Sequence, residues 1–156
     1  MIIISLYVDD LFIIDSNQAL IGSVKEELKK AFDITDFGKM QYFLGKEINQ
    51  SQEGILVYQR RYAKEVLKKI NMENCKPVSI SLVQNSKLIK EDGGNKSDEK
   101  IYRSLVGCLL YLTITRLDIT FAANILSRFR QEPSKLHFQA AKRILRYIRV
   151  NEELGI

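Results

Sequence analysis

Leu6-Tyr7-Val8-Asp9-Asp10-Leu11 is the stretch on which the reading of this 156-residue chain turns. Ile2, Ile3 and Ile4 precede it, and Leu11, Phe12, Ile13 and Ile14 follow. Two runs of β-branched and aromatic residues broken by a polar pair predict a tight antiparallel hairpin with the two carboxylates at its tip. Neighbouring carboxylates repel each other, and a hard cation such as magnesium or manganese relieves that repulsion. The other reading is an ordinary Asp-rich turn with no ion, because Asp is a common turn former. The tip alone leaves both readings open.

The chain around the hairpin has the composition of a folded protein. Its apolar fraction of 46% suits one domain with a real core or two small lobes. No apolar run approaches the roughly 20 residues needed to span a bilayer. The opening isoleucines are too few, and followed too soon by Asp9 and Asp10, to act as a secretory signal. Cys75 and Cys108 are the only cysteines, without CxxC spacing, and His137 is the single histidine, which argues against a Cys/His zinc site. An intracellular protein, cytoplasmic or nuclear, with reduced and partly buried thiols is expected. Ten basic residues against Asp118 and Glu132 give 100–150 a net +8 of the chain's total of +5, leaving −3 elsewhere. That asymmetry suggests an anionic partner, nucleic acid first, although a solvated basic helix face would read the same.

Helical spacing of Leu20, Ile21, Val24, Leu28 and Phe32 predicts a helix over 18–32 with those residues inward. Residues 40–50 read as a strand, 52–54 as a turn and 55–59 as the partner strand. A second amphipathic helix is predicted over 61–70, burying Tyr62, Val66, Leu67 and Ile70. Residues 79–89 alternate weakly and read as extended. The stretch 90–100 is polar throughout and reads as a linker or mobile loop. Helices then follow over 101–113, 118–129 and 135–149. Ser134 is the expected N-cap of the last, and Ala141, Ile144, Leu145 and Ile148 form its buried face. Lys142, Arg146 and Arg149 fall on one stripe, with Arg143 beside it.

Several stretches match one family in collinear order. Tyr7-Val8-Asp9-Asp10 between apolar strands resembles the catalytic hairpin of reverse transcriptases. Asp36-Phe37-Gly38 with Tyr42-Phe43-Leu44-Gly45-Lys46-Glu47-Ile48 resembles their primer-gripping hairpin. Tyr58-Gln59 with Tyr62-Ala63 resembles the helix after it, and Cys75-Lys76-Pro77-Val78-Ser79 the next connection. Tyr102-Arg103-Ser104-Leu105-Val106-Gly107, Leu110-Tyr111-Leu112, Thr115-Arg116, Asp118-Ile119, Phe121-Ala122 and Leu126-Ser127-Arg128-Phe129 continue the series. His137 and the run from Ala140 to Tyr147 complete it. Together these resemble the polyprotein of copia-type long-terminal-repeat retrotransposons over almost the whole chain. Two departures stand out. Leu117 occupies the place where the family usually has proline, and Arg149-Val150-Asn151 that where it tends to run Lys-Gly-Thr.

The resemblance implies RNA-directed DNA polymerase chemistry, in which a primer 3′-hydroxyl attacks the α-phosphate of a deoxynucleotide beside two magnesium ions. It implies Asp9 and Asp10 as catalytic and metal-binding carboxylates, with magnesium or manganese as cofactor. It places Tyr7, Val8, Leu44 and Gly45 against a template-primer, with Leu44 and Gly45 at the primer-grip turn, though an ordinary hairpin would also explain that pair. Lys142, Arg143, Arg146 and Arg149 would contact the phosphates of an RNA–DNA hybrid. The fingers and a third catalytic aspartate belong upstream of the hairpin in the family, and only six residues precede Tyr7 here. The expectation is therefore weak or absent metal binding and no polymerase activity from these residues alone.

The expected fold is α+β. Residues 1–89 would be the rear part of a palm, with two antiparallel hairpins and two helices. Residues 90–100 would be a linker, and 101–156 a small, basic, all-helical lobe like a thumb or connection. A nucleic-acid-binding module without chemistry, or a relic without selected function, are the competing readings. The apolar edge at Ile2 to Ile4 is expected to invite self-association.

Overall fold

The two isoleucine-rich runs form strands where expected. In the computed structural model, which describes residues 1–82, 88–89 and 94–156, β1 (Ile3–Tyr7) pairs antiparallel with β2 (Asp10–Ile14), from Ile3 opposite Ile14 to Tyr7 opposite Asp10. Helix α1 (Gln18–Ala31) follows. Its N-cap Asn17 accepts the N–H groups of Ala19 and Leu20 at 3.0 and 3.2 Å, satisfying donors the first turn leaves unpaired. Lys25 reaches Asp36 at 2.8 Å, and Asp36 also accepts the Gly38 N–H at 2.9 Å, which ties the connection after the helix back onto it.

The expected inward face of α1 is a correction. Ile21, Val24 and Leu28 are half-buried, Leu20 and Phe32 are exposed, and no residue of the helix is fully buried. Residues Met1–Met40 form a compact unit of their own. A two-stranded hairpin and one helix give too little second layer to cover an apolar stripe.

The second unit, Gln41–Ile156, holds the core. Residues 40–50 do not form one strand: a two-residue turn at Leu44-Gly45 splits them into β3 (Tyr42–Phe43) and β4 (Lys46–Gln50). Both turn residues have positive φ, +47° and +72°, as a type I′ hairpin turn requires. With β5 (Ile55–Tyr58) they make a three-stranded antiparallel meander in the order β3-β4-β5, where a second two-stranded hairpin was expected. Helix α2 (Arg60–Lys69) starts under a borrowed cap, since Glu47 of β4 accepts the Arg61 N–H at 2.7 Å. It ends in a left-handed cap at Asn71 (φ +55°), with the Met72 N–H on the Leu67 carbonyl at 2.8 Å.

Helices α3 (Glu99–Leu112), α4 (Thr120–Ser127) and α5 (Lys135–Val150) complete the unit, α4 being led in by a 3₁₀ turn at Leu117–Ile119. All four residues expected on the inner face of α5 are buried. The Ser134 cap is present and doubled: Ser134 Oγ accepts the His137 N–H, and His137 Nδ1 accepts the Ser134 N–H at 3.0 Å. His137 is itself buried, stacked on Phe129 with ring centroids 4.0 Å apart.

Packing divides the chain at a different place from the expected 1–89 and 101–156. Ala63, Val66 and Leu67 of α2 share one cluster with Tyr102, Leu105 and Leu109 of α3 and Ile144, Leu145 and Ile148 of α5. Part of the expected linker is fixed as well. Lys96 bridges to Ser134, the Lys135 N–H bonds the Asn95 carbonyl at 2.9 Å, Asp98 caps α3, and Glu99 opens it. Residues 90–93 of that stretch, and 83–87 of the stretch read as extended, lie outside the described residues. At the other end the chain returns to the meander, where Ile156 and Val57 exchange two backbone hydrogen bonds of 2.8 and 3.0 Å at the free edge of β5.

Candidate functional site

The β1–β2 tip differs from the expected one by a single residue. Tyr7 and Asp10 are the last paired residues, so Val8 and Asp9 form the two-residue turn and Asp10 opens β2. Val8 has φ +52°, a conformation that costs a β-branched residue about 1–3 kcal/mol. It is 76% exposed, so burial does not offset that strain. Both carboxylates are exposed beside it. Their hard oxygens suit magnesium or manganese. Their number does not suit a two-cation centre, and among the described residues no group of three or more His, Cys, Asp or Glu side chains is placed to hold a metal ion.

The Leu44-Gly45 turn belongs to the second unit. The Tyr111 hydroxyl donates to the Leu44 carbonyl, and a Cβ on Gly45 would stand 2.8 Å from that hydroxyl. The close approach that requires glycine here is made by the chain's own Tyr111. Tyr62 packs edge-on against the Tyr111 ring at 4.7 Å, and burial, reinforced by the Cys108 thiol, pushes the Tyr62 phenol pKa up.

The basic stripe of α5 is largely engaged within the fold. Arg146 Nε donates to the Lys76 carbonyl at 2.7 Å, and Arg149 donates to the Cys75 carbonyl, so both anchor the loop after α2. Lys142 Nζ lies 4.8 Å above the Phe138 ring. Arg143 Nε is buried and has no hydrogen-bond partner among the described residues. All four side chains are half-buried.

The Thr115-Arg116 and Asp118 positions, to which sequence reasoning assigned no task, form a polar knot. Arg116 is only 3% exposed. Its Nε and one terminal nitrogen grip Asp118 at 2.9 and 2.7 Å, and the other donates to the Asn151 carbonyl at 2.8 Å. The guanidinium also lies 5.7 Å from the Tyr147 ring centroid. Burial pushes the Asp118 carboxyl up, but hydrogen bonds from Arg116 and Tyr147 outweigh it and hold the pKa below the usual carboxylate range. Next to this knot, Thr115 Oγ1 donates to the buried Gln59 at 2.8 Å. The legible signal was an Arg and an Asp two residues apart at a helix start.

A family profile described as reverse transcriptase (RNA-dependent DNA polymerase) matches residues 1–84. The retrovirus-related Pol polyprotein from transposon RE1 of Arabidopsis thaliana is 38% identical over 150 residues, 96% of this chain and 10% of that protein. The Pol polyprotein from transposon TNT 1-94 of Nicotiana tabacum is 40% identical over 158 residues, 95% of this chain and 12% of that protein. An uncharacterized mitochondrial protein of A. thaliana is 37% identical over 146 residues, 92% of this chain and 60% of that protein. No solved structure gives a significant match. This chain, which spans about a tenth of the length of those polyproteins, belongs to the reverse transcriptase (RNA-dependent DNA polymerase) family and is a copia-type segment of it.

Proposed function

We propose that the chain is the part of a retrotransposon RNA-directed DNA polymerase that carries the YVDD hairpin and the rear of the palm. In this reading Asp9 and Asp10 supply carboxylates to the divalent cations, and Tyr7 and Val8 lie beside the primer end. Leu44-Gly45 is the primer-side turn, and a basic lobe follows. The observation that carries it is two exposed carboxylates, Asp9 on the two-residue turn and Asp10 at the start of β2, beside a valine held at positive φ. Strain of that kind gathers at functional sites. The donor set among the described residues is too small for nucleotidyl transfer, and in this reading the chain by itself is inactive and depends on further carboxylates of a polymerase. It works inside the cell on a template-primer.

Template-primer extension with magnesium or manganese tests this directly. The chain alone should incorporate no more label than its Asp9→Asn variant; incorporation that the variant loses would overturn the claim of inactivity. Exchanged for the matching segment of the RE1 polyprotein, the chain should support extension that Asp9→Asn abolishes. A folded chimera without activity would sink the polymerase reading. The charge asymmetry between 100–150 and the rest also favours a second reading, a nucleic-acid-binding module without chemistry. Under that reading the chimera fails while salt-dependent binding persists.

A further inference from the structure

Among the described residues, three other than glycine have positive φ: Val8, Leu44 and Asn71. Asn71 follows the end of α2, a place that suits asparagine. Leu44, at φ +47°, has no such local reason, and leucine is a costly occupant of the left-handed region. A two-residue hairpin favours a turn of this hand but asks for Gly, Asn or Asp at its first position. Burial does not compensate, since Leu44 is 43% exposed. The turn is held from outside the hairpin.

The residue that holds it is Tyr111, 67 positions away in the last turn of α3. Its hydroxyl donates to the Leu44 carbonyl, so a helix sets the backbone direction at the turn. The Tyr111 ring is itself braced. Tyr62 of α2 packs edge-on against it at 4.7 Å, and Lys46 Nζ, from the residue after the turn, lies 5.8 Å from its centroid. One position on, Glu47 accepts the Arg61 N–H, and the Arg61 guanidinium lies 5.5 Å from the Tyr42 ring on β3. The turn and both its strands are thereby tied to α2 and α3. Gly45 is fitted to the same contact, because a Cβ there would stand 2.8 Å from the Tyr111 hydroxyl.

We propose that Tyr111 is a positioning residue for the polymerase. Its hydroxyl turns the Leu44 carbonyl inward, leaves the Leu44 side chain outward, and so fixes how the turn presents itself to a primer end. The inference rests on the reading of Leu44-Gly45 as the primer-side turn. Strain held in place by a distant side chain suits a site that must keep one orientation. The turn then follows α3, and a shift of the helix's last turn reaches the primer side through one hydrogen bond.

Single-turnover extension of a labelled template–primer by the RE1 chimera is the test. Tyr111→Phe should slow incorporation about tenfold at saturating nucleotide, the worth of one hydrogen bond, while the template–primer Kd stays within about twofold. Gly45→Ala should slow it as well, and the pair should lose less than the product of the two single losses, because the added methyl no longer meets a hydroxyl. Tyr62→Phe keeps the edge contact and should extend within about twofold of the parent. The Tyr111→Phe chain itself should melt within about 5 °C of the parent, having lost one hydrogen bond. A Tyr111→Phe chimera as fast as the parent overturns the proposal. So does a loss confined to the template–primer Kd, a pair whose losses multiply, an equal loss from Tyr62→Phe, or a larger fall in melting temperature. A parent chimera that folds without extending removes the polymerase reading and this inference with it, whereas a parent that extends beside an equally active Tyr111→Phe removes this inference alone.

Discussion

Asp118→Asn removes the anion from the knot at Arg116 and leaves a guanidinium, 3% exposed, with the Asn151 carbonyl and a neutral amide as acceptors. Breaking a fully buried pair from one side costs about 3–5 kcal/mol. The Asp118 side chain is 30% exposed and the asparagine keeps one acceptor oxygen, so about 2–3 kcal/mol is expected here. At about 4 °C per kcal/mol for a unit of this size, the melting temperature should fall by about 8–12 °C at pH 7. Circular dichroism at 222 nm, which reads the helices of the second unit, is the assay. Adding Arg116→Met to Asp118→Asn removes the uncompensated charge, and the double variant should melt no lower than the single one. The effect also has a pH signature. The folded pKa of Asp118 lies below its unfolded value. Its stabilising contribution is therefore complete above the unfolded pKa of about 4 and lost as pH falls through the folded one. The gap between parent and Asp118→Asn should stay constant above pH 5 and close in acid. A melting loss under about 3 °C, a double variant as unstable as both changes added together, or a gap that persists in acid would refute the reasoning that this motif is a structural clamp.

Ser134→Ala removes one half of the doubled cap on α5 and should cost about 1 kcal/mol in urea unfolding, with an unchanged m-value. Gly45→Ala meets both the positive φ and the Tyr111 hydroxyl, so about 2 kcal/mol of destabilisation is expected. Adding Tyr111→Phe, which clears the space, should make the pair less costly than the sum of the two changes. Gly107→Ala should raise stability by about 0.5–1 kcal/mol in a thermal melt, and a fall would show that the helix itself needs the glycine.

What the chain disclosed about itself depended on how far apart the interacting residues are. The inner face of α5 was readable because helical spacing alone brings Ala141, Ile144, Leu145 and Ile148 into line. The fate of its basic face was not, since Arg146 and Arg149 bond carbonyls about 70 residues away and no helical wheel contains those partners. The face of α1 was equally periodic, yet the pattern cannot say whether a second layer exists to receive it. Leu44 hid a turn inside an apolar run, and only the family resemblance pointed to it. At the tip, propensity does not seat a valine at positive φ, so the sequence pattern puts the turn one residue late, at Asp9-Asp10. A local rule broken without visible gain to the fold, beside two carboxylates, is where function is to be expected.

The return of the chain to β5 bears on the order of folding. Val57 and Ile156 lie about a hundred residues apart, and closing such a loop from the open chain costs about 4 kcal/mol in entropy. Two backbone hydrogen bonds, net about 1 kcal/mol each, do not meet that cost. Once Thr115 holds Gln59 and the Arg116 guanidinium has caught the Asn151 carbonyl, the path from Val57 to Ile156 shortens to about eight residues, and the entropy falls to about 1.8 kcal/mol. The edge strand therefore zips last and frays first, and hydrogen exchange at the Val57 and Ile156 amides reports whether a side chain buried in the helical layer is still holding its carbonyl.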